Sequence, residues 1–140
     1  MSNMRSQVSI DFLIALTLVT ITALNLISLG LTQMEEAKSF DLSSKVKVFA
    51  IDVRDTVTKV YSCGEGFAVK KTWPFELNPG DEIIVSLETS GIVNVTLITG
   101  GKRYTVIERL QVPIAENSSV ILTTEKRNFW IKFEGGVKVE

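Results

Sequence analysis

The segment from Phe12 to Met34 contains no Asp, Glu, Lys or Arg, and this uncharged apolar run limits what the chain can become more than any other feature. Its first part, residues 12–31, reads FLIALTLVTITALNLISLGL. Twenty helical residues rising about 1.5 Å each cover about 30 Å, the hydrocarbon thickness of a bilayer. A secretory signal has a shorter apolar region of about 7 to 15 residues followed by a small-residue cleavage site, so this stretch reads as a helix that stays attached. Arg5 precedes it while Glu35 and Glu36 follow it, and the positive-inside tendency puts the N-terminus in the cytoplasm. The remainder mixes charges of both signs and is the only part suited to water.

Within the span Thr17, Thr20, Thr22, Asn25 and Ser28 recur among Leu and Ile. Small and polar residues of this kind let helices pack together in an apolar medium. Hydroxyls that bond back to the helix's own carbonyls account for the same residues. Gly30 weakens a continuous helix by about 0.8 to 1.0 kcal/mol relative to Ala.

Just before the span, Arg5-Ser6-Gln7-Val8-Ser9-Ile10-Asp11-Phe12-Leu13 resembles the class III signal peptide of archaeal type IV pilins. In that family a short basic leader ends at a small residue, and a prepilin peptidase cuts before a Gln-x-Ser-x-(Glu or Asp) motif. The resemblance implies a cut between Ser6 and Gln7, with Gln7, Ser9 and Asp11 in the assembly motif. It implies a leader over residues 1–6 and an N-terminal helix over 7–62, whose 12–31 part spans the membrane or fills a filament core and whose 32–62 part is amphipathic. An extracellular β-domain over 63–140 would follow. The implied partners are the peptidase, the pilus assembly machinery, the membrane before assembly, and other copies of the chain in a helical homopolymer.

Asp11 also has a physical role independent of the resemblance, because a carboxylate at the mouth of an apolar span is costly unless neutralised. Cleavage before Gln7 would create an α-ammonium near it, and packed neighbours could exchange these charges in low dielectric. On a simpler reading, Asp11 complements the positive end of its own helix, aided by Ser9.

Beyond the span, Leu42, Val46, Phe49, Val53, Val57 and Val60 repeat at helical spacing, and no proline occurs before Pro74. A nearly unbroken helix from about Phe12 to Tyr61, on the order of 75 Å, is expected to stop at Cys63-Gly64-Glu65-Gly66. Short runs of β-branched and aromatic residues then follow at roughly 67–73, 75–77, 82–88, 92–98, 102–110, 119–124 and 128–134. Asn78-Pro79-Gly80 suits a type II turn, and Ser90-Gly91, Gly100-Gly101 and Gly135-Gly136 supply permissive backbone. Ile83, Val85 and Leu87 alternate inward, as do Phe129, Ile131 and Phe133.

The expected fold is therefore α+β: a long N-terminal hydrophobic helix followed by a C-terminal antiparallel β-sandwich, immunoglobulin-like. The strand runs carry their own alternation, so residues from near Ser62 onward are expected to fold alone. Docking on the Val46–Val60 stripe would enlarge a modest core. Trp130 lies opposite Phe129 and Ile131; packing against the long helix is favoured over an outward contact with another subunit. Cys63, the single cysteine, reads as a small buried apolar residue in preference to an intermolecular bridge.

Asn94-Val95-Thr96 and Asn117-Ser118-Ser119 are N-glycosylation sequons, with Asn94 expected to face water. The net charge of −1 and the absence of a long Lys/Arg run give no reason to bind nucleic acid. With no His, one Cys, no Walker lysine motif and no dinucleotide glycine fingerprint, no catalytic site or cofactor is expected. Asp52 and Asp55 around Arg54, and Asp81-Glu82, read as solvated surface in preference to metal ligands.

The leading expectation is a structural subunit of an adhesive surface filament, first held in the cell membrane and then extracellular. The alternatives are a signal-anchored external binding module that never polymerises, and a minor pilin or a subunit of a related secretion or motility filament.

Overall fold

The computed structural model describes residues 2–140, and within them the side chains of residue 4 and of residues 7–140. Met1, the start of the expected leader, lies outside the described residues, as do the side chains of Ser2, Asn3, Arg5 and Ser6. Helix α1 runs from Ser2 to Cys63, and seven strands follow. The chain divides into two compact units, Met1–Phe40 and Asp41–Glu140.

In the first unit the helix continues through Gly30 without interruption, consistent with the absence of proline. The apolar window within it has a mean hydropathy of 2.2 and no buried share. This helix is long and apolar enough to cross a membrane, a property that anchors and signal sequences share.

In the second unit, the stripe read from the sequence faces inward. Val46, Phe49, Val53, Val57 and Val60 are all buried, and Leu42 packs at the margin. The helix ends where Gly64 adopts a φ of +84° and its N–H donates to Val60 O at 3.2 Å. A residue with a Cβ is strained in that conformation, whereas glycine is not.

The strands are β1 (Ala68–Thr72), β2 (Glu82–Glu88), β3 (Ile92–Thr99), β4 (Lys102–Arg109), β5 (Ser118–Leu122), β6 (Asn128–Phe133) and β7 (Val137–Val139). They form a three-stranded sheet, β1-β6-β7, and a four-stranded sheet, β4-β3-β2-β5, with every pairing antiparallel. Ile83, Val85 and Leu87 are buried as the alternation predicted, as are Phe129 and Ile131, with Phe133 at the edge of the core. Among the described residues, six of the twenty that form the core come from the helix. The module's core therefore begins at Val46 and includes this part of the helix.

Two strand assignments differ from the sequence reading. Residues 75–77 form a loop between Pro74 and Pro79, where Phe75 and Leu77 lie against the core. The Arg127 guanidinium donates to Phe75 O and, at 3.3 Å, to Trp73 O, in place of a sheet partner. Val137–Val139, which the sequence reading passed over, becomes β7 by folding back on β6 across Gly135-Gly136. Asn78-Pro79-Gly80-Asp81 does form a turn, closed by Asp81 N–H to Asn78 O at 3.0 Å, with φ of +91° at Gly80.

Two side-chain expectations are also corrected. Cys63 is exposed because the buried stripe ends at Val60, leaving the last helical turn uncovered. Trp130 is 42% exposed, since β6 gives its inward face to Phe129 and Ile131. The indole at the heart of the module is Trp73, whose ring lies 4.8 Å from that of Phe49.

Candidate functional site

Gln7, Ser9 and Asp11 all lie on α1 with exposed side chains. Gln7 and Asp11 are four residues apart and so share one face of the helix, one turn above the other. Because α1 begins at Ser2, Asp11 sits in its third turn, beyond reach of the helix's first-turn N–H groups. The reading of Asp11 as a complement to its own helix end therefore does not hold where α1 begins at Ser2. Among the described residues Asp11 takes part in no ion pair.

After Asp11 the helix presents apolar side chains on every side. Phe12, Leu18, Val19, Leu24, Leu26 and Leu31 are each at least 60% exposed. Of the polar residues in the span, the hydroxyls of Thr17, Thr20 and Thr22 each donate to the carbonyl four residues earlier, at 2.8 Å. Back-bonding thus satisfies these threonines without a neighbour. It leaves a surface that only lipid or other apolar helices can cover favourably.

The other singled-out residues lie apart from this segment in sequence. Asn117 is exposed, and its Oδ1 accepts Thr89 N–H at 2.7 Å. Asn94 is on the outward face of β3, as predicted, but it is only half-exposed, and its Oδ1 accepts the Thr96 hydroxyl at 3.3 Å. Asp52 pairs with Lys71, and Asp55 with Arg54 at 2.9 Å. Asp81, read as solvated, is in fact buried at 7% exposure, where its carboxylate accepts Asn78 N–H at 2.9 Å. Among the described residues no group of three or more acidic, Cys or His side chains could hold a metal.

The comparisons with known proteins find no match to this chain among protein families, curated proteins or solved structures.

The sequence reading missed a charge cluster where the helix meets β4. Glu108 is 8% exposed and accepts from Lys47 Nζ and, at 3.1 Å, from Arg54 Nη1. Asp55 first, and then Glu108, holds the Arg54 guanidinium above its ordinary value. Beside the cluster, Arg54, Thr58, Lys59, Arg109 and Gln111 line an open cleft of about 510 Å³. The available signal was parity: Glu108 falls on the inward set of β4 with Tyr104 and Val106, where a charge needs a partner.

Proposed function

We propose that this chain is a membrane-staged subunit of an archaeal type IV pilus-like filament. It is processed before Gln7 by a prepilin peptidase and polymerised through its N-terminal helix for surface attachment. The observation that carries the reading is the combination of a fully exposed, uncharged helical segment with Gln7-x-Ser9-x-Asp11 at its mouth. Such a segment is stable in lipid, and equally stable where neighbouring copies of the same helix replace lipid. A repeated contact between copies that does not close on itself gives an open filament.

In this reading Asp11 pairs with the α-ammonium of Gln7 on a neighbouring subunit and sets the axial register between otherwise apolar helices. The two sheets of the C-terminal module are read as an immunoglobulin-like β-sandwich displayed at the filament surface. The exposed sequon Asn117 is the better placed of the two for a glycan, because the Asn94 amide is half-covered.

Intact-mass measurement of the surface-exposed pool tests the reading, with a mature chain beginning at Gln7 as the expected result. Retention of residues 1–6 on cell-free filaments would overturn the processing step. An intact N-terminus together with confinement to the membrane would favour a non-polymerising anchored binding module.

A further inference from the structure

The outward face of the four-stranded sheet is more apolar than a solvated face requires. Ile107 and Ile121 are 58% and 51% exposed on it, and Ile84 and Ile98 are half-exposed. Asn94 sits in the middle of this face, on the central strand β3. At one end a single register row crosses the sheet, with Ile98 of β3 paired to Arg103 of β4 on one side and to Glu82 of β2 on the other. Arg103 and Glu82 are exposed, and among the described residues neither is in an ion pair.

We infer that this face docks on the same face of a second copy of the chain, about a two-fold axis running along β3. Neighbouring strands lie about 4.8 Å apart, so Arg103 and Glu82 stand at equal distances on either side of β3. A half-turn about that strand carries Arg103 of each copy onto Glu82 of the other and forms two equivalent ion pairs. The same rotation sets Thr105 opposite Ile84 and brings Asn94 against Asn94 of the other copy. An amide carries both donor and acceptor and can pair with its own symmetry mate. Such an interface is isologous and closes as a pair.

The rotation superposes β2, β3 and β4 and leaves β5, with Ile121, outside the pair. Three strands of about 20 Å make a face of about 300 Å² per copy, well below the total of about 1,200 Å² typical of stable complexes. The pair is therefore weak in dilute solution and forms where copies are concentrated, as in a membrane. It belongs to the β unit and holds whether or not the chain is cleaved or polymerised.

Cysteine cross-linking of the full-length chain in its native membrane, with Cys63→Ser as background, tests the pairing. Asn94→Cys is expected to give disulfide-linked dimers on oxidation, well above the yield from Asn128→Cys on the outer face of the other sheet. Chains carrying Thr105→Cys and Ile84→Cys should cross-link to each other when co-expressed, but not each to itself. Arg103→Glu should reduce the Asn94→Cys dimer to the Asn128→Cys level, and adding Glu82→Arg should restore it. Protease resistance of residues 41–140 confirms that each variant is folded. The inference is overturned if folded Asn94→Cys cross-links no better than Asn128→Cys, or if Arg103→Glu has no effect. A glycan found on Asn94 of the wild-type protein would overturn it as well.

Discussion

Arg54 Nη1 donates to Glu108 Oε2 at 3.1 Å across 54 residues of sequence, and this contact ties the helix to β4 by charge as well as by packing. Glu108 is nearly buried, whereas the side chain of Arg54 remains 35% exposed. The acid therefore depends on its two cations more than they depend on it. A hydrogen bond to a charged group contributes about 1.5–3 kcal/mol net when its partner is desolvated, and less when solvent competes.

Glu108→Ala should accordingly destabilise the module by about 1–3 kcal/mol, with a smaller loss for Glu108→Gln, which keeps an acceptor. Urea denaturation of residues 41–140 measures both. Equal losses for the two variants would assign the contribution to the negative charge alone, and a loss confined to Glu108→Ala would mean that packing, and not charge, holds β4 to the helix.

A polypeptide covering 41–140 should fold cooperatively, whereas 62–140 should not. Val46, Phe49, Val53, Val57 and Val60 are at most 2% exposed. Burial of such side chains contributes about 1.5–3 kcal/mol each, so together they amount to on the order of 10 kcal/mol. A domain's whole stability is only about 5–15 kcal/mol. Circular dichroism with thermal melting decides this, and a sharp transition for 62–140 would show that the sheets suffice.

Phe49→Ala is the single change expected to loosen the core most. Its ring meets Trp73 edge-on at 4.8 Å and lies 6.2 Å from Phe129. Truncating a buried aromatic costs about 3–5 kcal/mol. The quenching environment of Trp73 should change with it, so tryptophan fluorescence and the denaturation midpoint should shift together.

Asp11→Ala should leave membrane insertion intact but remove the protein from sheared filaments. Removing a charge makes the segment more apolar, so the span still inserts. On the proposed filament reading, the incoming subunit would then lack its counter-charge for the neighbouring Gln7 ammonium, while Asp11→Glu would keep it. Fractionating membranes and filaments, with cleavage checked by mass, separates the outcomes. Normal filament yield from processed Asp11→Ala protein would rule out the registration role.

Gly136→Ala should destabilise the β6–β7 hairpin by about 1–3 kcal/mol through overpacking. A Cβ placed there would stand 2.6 Å from Ala115 Cβ. Ala115→Gly removes that atom, so the double variant should recover most of the loss in a denaturation midpoint. No recovery would place the cost in the backbone instead.

The apolar span, the continuity of the helix and the inward faces of β2 and β6 were determined by the sequence alone. Each depends on local periodicity and on the absence of proline before Pro74, and such signals survive without knowledge of neighbours. Only the tertiary structure decided which runs found partners. Residues 75–77 have strand-like composition, yet they lie in a loop where Arg127 occupies carbonyls at Trp73 and Phe75. Val137–Val139 is too short to signal a strand and becomes one by pairing with β6. Alternation shows that Trp130 and Glu108 lie on opposite kinds of face, but not what covers each. Trp130 faces outward uncovered, while Glu108 is buried because Lys47 and Arg54 reach it from the helix. Pairing and coverage are relations between distant segments, and no local pattern encodes them.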